Sequence, residues 1–307
     1  MQKTRYLESL IHQQLFRFHR LVVQGIDNEA VARIFSSAIL AEEYCLFSNT
    51  IRNGDEYFRL LHSLVIHALE NRQSLPVVRF ADGEYAFYRF TLGCNGLYKQ
   101  AESVEAIKRV MPLHIKAMEH LANHGLFAPL VFPGNSHIPS QNFFSFKKQK
   151  RDSTGAEFLD FLHTNNIKLS GENYIPFYAI YAYLSSEAFA SAMNGKNICI
   201  LNSDYNKESC IHWFARFGSH PHLTFVDIPA EYVATRWEED KKGVLAKIPP
   251  DTDLCLAGAG VGALLVCVDV AKICSLPVID AGHVLNMMND RVDKSNGARL
   301  YTLRKNE

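Results

Sequence analysis

Two carboxylates one residue apart follow a short apolar run near residue 80. Asp82 and Glu84 are separated by Gly83, and Arg79 stands three residues before the first of them. An Asp-x-Glu sequence at the end of a strand can present hard oxygen ligands to Mg²⁺ or Mn²⁺ and leave positions open for substrate phosphates. The same residues also suit a plain turn, in which Asp bonds its own backbone and Gly takes a positive φ. We predict Asp82 and Glu84 as catalytic metal ligands, with the plain turn as the alternative.

A second candidate segment has glycine at every other position. Gly258, Gly260 and Gly262 precede an apolar stretch with helical character. Backbone N–H groups at the start of a helix can bind a phosphate, so these three glycines are predicted cofactor-binding residues. The spacing is not the G-x-G-x-x-G of dinucleotide sites, and glycines that allow a helix to pack closely on a sheet explain the segment equally well.

Two further turns carry polar side chains after apolar runs. Asp280 and His283 follow the last run, and Asn135 and His137 follow another. We predict His283 as a third metal ligand or a phosphate contact, and Asn135 and Arg79 as cofactor-binding residues. Arg79 has two predicted roles, which are to bind a phosphate as a fork or to hold the carboxylates in place. The sequence contains no H-E-x-x-H and no G-x-S-x-G, so a zinc protease or a serine hydrolase is not indicated.

Short apolar runs alternate with longer amphipathic segments from residue 75 onward. This alternation predicts an α/β fold with a Rossmann-like, mostly parallel sheet and helices on both faces. The predicted strands are 76–80, 127–132, 197–202, 223–228, 253–257 and 277–280, and the predicted helices are 103–123, 156–164, 177–193, 207–217, 236–247 and 261–275. Ligands bind beyond the carboxyl ends of such strands, which is where the candidate residues lie.

Residues 1–72 have only helical spacing of apolar side chains. We predict an all-helical N-terminal appendage over 1–72, which caps the second domain or forms a homodimer, and a Rossmann-like domain over 73–307. Its helices need a partner for their apolar faces.

Composition and charge exclude several classes of protein. The 307 residues are 48% apolar, and Lys and Arg together number 32, as do Asp and Glu. This excludes global disorder and gives no basic excess for a nucleic-acid partner. No two of the seven cysteines form a C-x-x-C pair. The sequence has no signal-peptide pattern. The apolar run 254–270 is interrupted by glycines and an aspartate. We expect a cytoplasmic protein without a transmembrane segment, with peripheral attachment to the inner face of a membrane as an alternative.

Two motifs resemble a known family. Residues 79–84 read R-F-A-D-G-E, which resembles the R-F-G-D-G-E signature of the GT-D glycosyltransferase domain, first described as a domain of unknown function. Residues 258–260 read G-A-G and residues 279–283 read I-D-A-G-H, similar to the family's G-P-T, helix, D-I-G-H ending. The resemblance covers about residues 75 to 290. It departs from the family at Ala81, at Ala259 and Gly260, and after His283, where the family's acidic and aromatic residues are absent.

The resemblance implies a hexosyltransferase-like enzyme in which Asp82 and Glu84 hold Mn²⁺ or Mg²⁺ against a nucleotide-sugar diphosphate. A UDP-sugar is the expected donor, and a hydroxyl of a glycan or other glycoconjugate is the expected acceptor. The acceptor needs a general base, for which the sequence offers Glu172, Asp280, Asp204 and His137. Two alternatives are a non-catalytic nucleotide-sugar-binding module and a Rossmann-type enzyme that uses NAD or S-adenosylmethionine.

Overall fold

The computed structural model describes residues 16–17, 44–45, 54–96, 98–130 and 154–289. The strands of its main sheet are β1 (Leu75–Phe80), β2 (Leu126–Pro129), β3 (Asn197–Asn202), β4 (His222–Asp227), β5 (Leu254–Gly258) and β6 (Pro277–Asp280). They lie in the order β2-β1-β6-β5-β3-β4, and each neighbouring pair is parallel. The predicted α/β fold with a parallel sheet is therefore confirmed.

Helices connect these strands and surround the sheet. They are α1 (Gly54–Asn71), α2 (Asp82–Tyr88), α3 (Val104–His124), α4 (Gly155–Thr164), α5 (Phe177–Leu184), α6 (Glu187–Ala192), α7 (Lys207–Ala215), α8 (Val233–Leu245), α9 (Ala263–Cys274) and α10 (His283–Met288). The predicted helix over 177–193 is in fact two helices, because the side chain of Ser186 accepts a hydrogen bond from the N–H of Phe189 and so starts a new helix.

The central strands are apolar because helices cover both of their faces. β2 and β6 are buried along their whole length, and every residue of β1 and β3 after the first is buried. Continuous apolar runs of this kind are typical of a buried parallel sheet. β2 and β4 are the edge strands, and of these two only β4 has partly exposed residues. The carboxyl ends of β1, β6, β5 and β3 therefore lie side by side along the middle of one sheet edge.

The apolar run 254–270 folds as β5, a short 3₁₀ turn (Gly260–Gly262) and most of α9, as the sequence predicts. Among the described residues, no helix has both the length and the apolar character needed to cross a membrane. The following cysteines are free thiols: Cys94, Cys199, Cys210, Cys255, Cys267 and Cys274.

The N-terminal prediction is wrong at two places. Phe16–Arg17 and Tyr44–Cys45 pair as short antiparallel strands, so residues 1–72 are not purely helical. Both segments lie in short apolar runs, whose periodicity cannot separate a strand from a buried helix. α1 is a helix as predicted, and it packs on the core, where Tyr57 is fully buried against the ring of Tyr174 at 5.7 Å between centroids. The domain division at residue 72 and the homodimer stay predictions.

A close approach between α3 and β1 yields a test of this packing. Gly125 ends α3, and a Cβ built on it would lie 2.3 Å from the carbonyl oxygen of Pro76. We expect Gly125→Ala to lower the free energy of unfolding by about 1–3 kcal/mol, because the backbone of β1 must move. The measurement is the midpoint of urea unfolding at constant slope.

Gly243→Ala is the matched control. Gly243 lies within α8 and its Cβ would meet nothing within 4 Å, so alanine should raise the free energy of unfolding by about 0.5–1 kcal/mol. A Gly125→Ala protein as stable as the wild type would contradict the packing described for β1.

Candidate functional site

A cavity of about 360 Å³ opens at the carboxyl ends of the central strands. Its lining brings together residues that lie up to about 200 positions apart in the sequence. The predicted site residues in the lining are Arg79, Asp82, Glu84, Gly258, Gly260, Asp280 and His283. Asn135 and His137 lie outside the described residues.

A buried ion pair joins β1 to β6 below the cavity. Arg79 is 8% exposed and Asp280 is 3% exposed. Nη2 of Arg79 donates to Oδ1 of Asp280 at 2.9 Å, its Nε donates to the Asp280 carbonyl at 2.9 Å, and its backbone N–H donates to Oδ2 at 3.2 Å. The phosphate contact of Arg79 stays a prediction, and Arg79 has a different partner from the two carboxylates that it is predicted to hold. It holds Asp280, which lies 201 residues away, and not Asp82 or Glu84.

The surroundings of Arg79 keep its guanidinium charged. Burial alone would lower the pKa of Arg79, but the Asp280 carboxylate raises that pKa above its ordinary value. The guanidinium carbon lies 5.3 Å from the ring centre of Phe177 and 5.0 Å from that of Tyr181. Gly282 has a φ of +38°, and a Cβ there would lie 1.5 Å from Nη2 of Arg79, so this position requires glycine.

Tyr181 links this pair to His283. Nη1 of Arg79 donates to the Tyr181 hydroxyl at 2.7 Å, and the hydroxyl oxygen lies 3.1 Å from Nδ1 of His283. Burial raises the pKa of Tyr181 to about 12, which keeps its proton in place at neutral pH. Tyr181 lies on α5 and is buried, so its hydroxyl is a polar contact within the core.

Asp82 and Glu84 begin α2 instead of forming a plain turn. Asp82 is exposed at the first position of the helix, and Gly83 does not have a positive φ. Glu84 is half-buried, and its Oε2 accepts a hydrogen bond from the N–H of Ala81 at 2.8 Å. Burial raises the pKa of Glu84 to about 7, and the negative charge of Asp280 adds to this shift. The plain-turn alternative is therefore wrong, and both carboxylates reach the cavity wall.

The three-ligand arrangement is not observed. In the part of the chain that the structure describes, no group of three or more His, Cys, Asp or Glu side chains is placed to hold a metal ion. Asp82, Glu84 and His283 line one cavity without forming such a group. The pair of carboxylates remains as a source of oxygen ligands, and Mg²⁺ commonly uses one or two carboxylates together with substrate phosphates.

The glycine segment serves close packing, and at Gly258 a Cβ would lie 2.8 Å from Cδ1 of Leu285. Gly260 has a φ of +53°, and its Cβ would lie 2.5 Å from Oε1 of Gln100, the atom that accepts a hydrogen bond from the N–H of Val261 at 2.9 Å. A Cβ on Gly262 would lie 2.6 Å from Cγ1 of Val233, and Gly262 is outside the cavity lining. Gln100 thus occupies one N–H group that a phosphate would need.

Two of the predicted general bases are poorly placed for that role. Glu172 is exposed in the turn before α5 and is outside the cavity lining. Asp280 lines the cavity, but both of its carboxylate oxygens accept hydrogen bonds from Arg79. A carboxylate that is held on both sides by one arginine is a structural group more than a proton acceptor.

The cavity also uses residues that the sequence patterns did not single out. Gln100, Asn202 and Tyr232 line it together with the predicted residues. Asn202 is the last residue of a predicted apolar strand, so its polar side chain at a strand end was a usable signal. Gln100 lies in a stretch without periodicity, and nothing in the sequence indicates that it reaches Val261.

The comparisons with known proteins give three solved structures. One, described as a new glycosyltransferase (DUF1792) from Streptococcus sanguinis, is 16% identical over 73% of this chain and 81% of its own, with a TM-score of 0.44. A second, described as the highly conserved domain of unknown function 1792 with a distinct glycosyltransferase fold, is 15% identical over 76% and 83%, with a TM-score of 0.43. No family model and no curated protein match this chain.

A third structure, a selenomethionine form of that domain, has a TM-score of 0.42 at 15% identity and covers 76% of this chain and 83% of its own. These structures are of the domain that the two sequence motifs resemble. At this degree of likeness, nothing about the activity of this chain follows from them.

The ion pair yields a stability prediction. Asp280→Ala should lower the free energy of unfolding by about 3–5 kcal/mol, because it leaves the Arg79 guanidinium buried without its counter-charge. Glu231→Ala is the control. It breaks an exposed pair with Lys99 at 3.5 Å, with side chains 44% and 60% exposed, and should cost less than about 1 kcal/mol. Equal midpoints for the two variants in urea unfolding would contradict the importance of the buried pair.

Glu84 yields a pH prediction. Its pKa is about 7 in the folded chain against an ordinary value of 4.5, so the folded state binds the proton more tightly. The resulting stabilisation is fully present below about pH 4.5 and is lost as the pH rises through about 7. Relative to Glu84→Gln, the wild type should therefore lose on the order of 1–3 kcal/mol of unfolding free energy between these values. A constant difference between the two proteins across this range would refute the raised pKa.

Proposed function

We propose that this chain is a metal-dependent glycosyltransferase that moves a sugar from a nucleoside-diphosphate donor to an acceptor hydroxyl. One observation carries the proposal, which is a single cavity lined by the two carboxylates of α2 and by the turns after β5 and β6. The cavity runs across the ends of β1, β6, β5 and β3, which is about 14 Å at the usual spacing of strands. This length suits an extended ligand such as a nucleotide sugar.

The carboxylates fit a hard divalent cation. Asp82 is exposed on the cavity wall, and Glu84 lines the same cavity. Asp82 and Glu84 would hold Mn²⁺ or Mg²⁺, and a bound cation of this kind neutralises charge on a diphosphate leaving group as a Lewis acid. A cation would also favour the ionised form of Glu84, whose pKa lies near neutrality.

The other cavity residues position the ligand. Arg79 and Asp280 fix the floor of the cavity through their mutual hydrogen bonds. His283 is half-buried and faces the same cavity as the carboxylates. Gly258 lines the cavity beside Asn202, and a Cβ at position 258 would lie 2.8 Å from Cδ1 of Leu285 and 3.0 Å from Oδ1 of Asn202. We propose a UDP-sugar as the donor and a glycan or other glycoconjugate as the acceptor, in line with the motif resemblance.

Asp82→Asn should lose metal-dependent nucleotide binding and keep its fold. This change removes one charged oxygen ligand from an exposed position, so Mn²⁺-dependent binding of UDP should weaken at least ~10-fold while the melting temperature stays nearly constant. Calorimetric titration with UDP, with and without Mn²⁺, measures the effect, and turnover of a panel of UDP-hexoses tests activity. Glu239→Gln, an exposed change on α8 outside the lining, should bind like the wild type.

Three outcomes separate the candidate functions. Full Mn²⁺-dependent activity in Asp82→Asn would overturn the metal assignment. Tight UDP-sugar binding without turnover on any acceptor would favour a non-catalytic binding module. Metal-independent binding of NAD or S-adenosylmethionine would favour the Rossmann-type alternative.

A further inference from the structure

Arg79 fixes the direction of one of the hydrogen bonds made by the Tyr181 hydroxyl. A guanidinium has only donors, so the Tyr181 oxygen must accept the 2.7 Å hydrogen bond from Nη1. Arg79 itself cannot rotate away, because Asp280 takes hydrogen bonds from both its Nε and its Nη2, and Gly282 lies against the guanidinium.

The hydroxyl proton of Tyr181 has a well-placed acceptor. Nδ1 of His283 lies 3.1 Å from the Tyr181 oxygen. A hydroxyl that accepts from a charged group becomes a stronger donor, because hydrogen bonds in a chain polarise one another. Donation to Nδ1 leaves the neutral imidazole with its proton on Nε2.

We infer that Tyr181 is a positioning residue that holds His283 in the Nε2–H tautomer, so that His283 presents a hydrogen-bond donor to the cavity. An Nε2–H group cannot ligate a metal, and it matches an anionic oxygen such as that of a phosphate. Of the two predicted roles of His283, this inference favours the phosphate contact over the metal ligand. The identity of the anion rests on the proposed function, and the tautomer does not.

The tautomer is measured on the protein without ligand. Two-bond ¹H–¹⁵N correlation spectra at about pH 8.5, where an ordinary histidine is neutral, distinguish the two tautomers. The chain has 13 histidines, so the spectrum of His283→Gln assigns the resonances of His283 by difference. We expect Nε2–H in the wild type and in the control Tyr205→Phe, and a mixture of tautomers in Tyr181→Phe. A major Nδ1–H form in the wild type, or an unchanged tautomer in Tyr181→Phe, would overturn the inference.

The donor role is measured with UDP in the presence of Mn²⁺, because the proposed function makes UDP binding dependent on Mn²⁺. Gln can place an N–H near the position of Nε2, whereas Asn reaches only as far as Nδ1. His283→Gln should therefore bind UDP within about 3-fold of the wild type, and His283→Asn and Tyr181→Phe should bind about 3- to 10-fold more weakly, as expected for one hydrogen bond. Equal loss in the Gln and Asn variants would refute the donor role.

The UDP titrations and the tautomer spectra test the proposed function and the inference separately. If the wild type binds no UDP with or without Mn²⁺, the proposed function is wrong, and the tautomer spectra still decide the inference about Tyr181 and His283.

Discussion

The ion pair between Arg79 and Asp280 is the constraint on which the cavity depends. Both groups are buried, and removing a charge from water is costly unless its hydrogen bonds are replaced. The replacement here is nearly complete, since the side chain and backbone of Arg79 donate three hydrogen bonds to Asp280 and one to Tyr181. Such a pair tolerates little movement, so it fixes the ends of β1 and β6 relative to each other at the centre of the sheet.

This constraint extends to the turn after β6. The guanidinium leaves no room for a side chain at Gly282, and the N–H groups of Ala281 and Gly282 both donate to the carbonyl of Ala257 on β5. The turn is thereby held between β1 and β5. This fixes the position of His283, the first residue of α10, relative to the sheet. Three central strands thus act together to position one imidazole, and the sheet, not the loop, determines where it lies.

The sequence predicts elements well and partners poorly. The six strands are recognisable because burial on both faces requires continuous apolar runs, and parallel order requires their polar ends to meet at one edge. The partner of Arg79 is not recognisable, because a contact across 201 residues leaves no local pattern. The contact between Gln100 and the glycine segment leaves no local pattern either. The side chain of Gln100 fills the space in which a Cβ of residue 260 would lie, so position 260 requires glycine. The prediction of Glu172 as a general base is unsupported because it rests on side-chain type alone. The type of a side chain does not indicate the side of the molecule on which it lies.

The carboxylates of α2 show how one short motif satisfies local structure and chemistry together. A helix start favours acidic side chains in its first turn, and Glu84 meets this need by accepting from the N–H of Ala81. The same turn puts Glu84 half inside the cavity, where burial and Asp280 make its ionisation costly. A bound cation would stabilise the ionised form of Glu84 strongly, because the carboxylate is partly buried. It would stabilise the ionised form of the exposed Asp82 less. The two carboxylates are therefore not equivalent. Glu84 caps the start of α2, and its pKa depends on the charges in the cavity, whereas Asp82 stays accessible to a ligand.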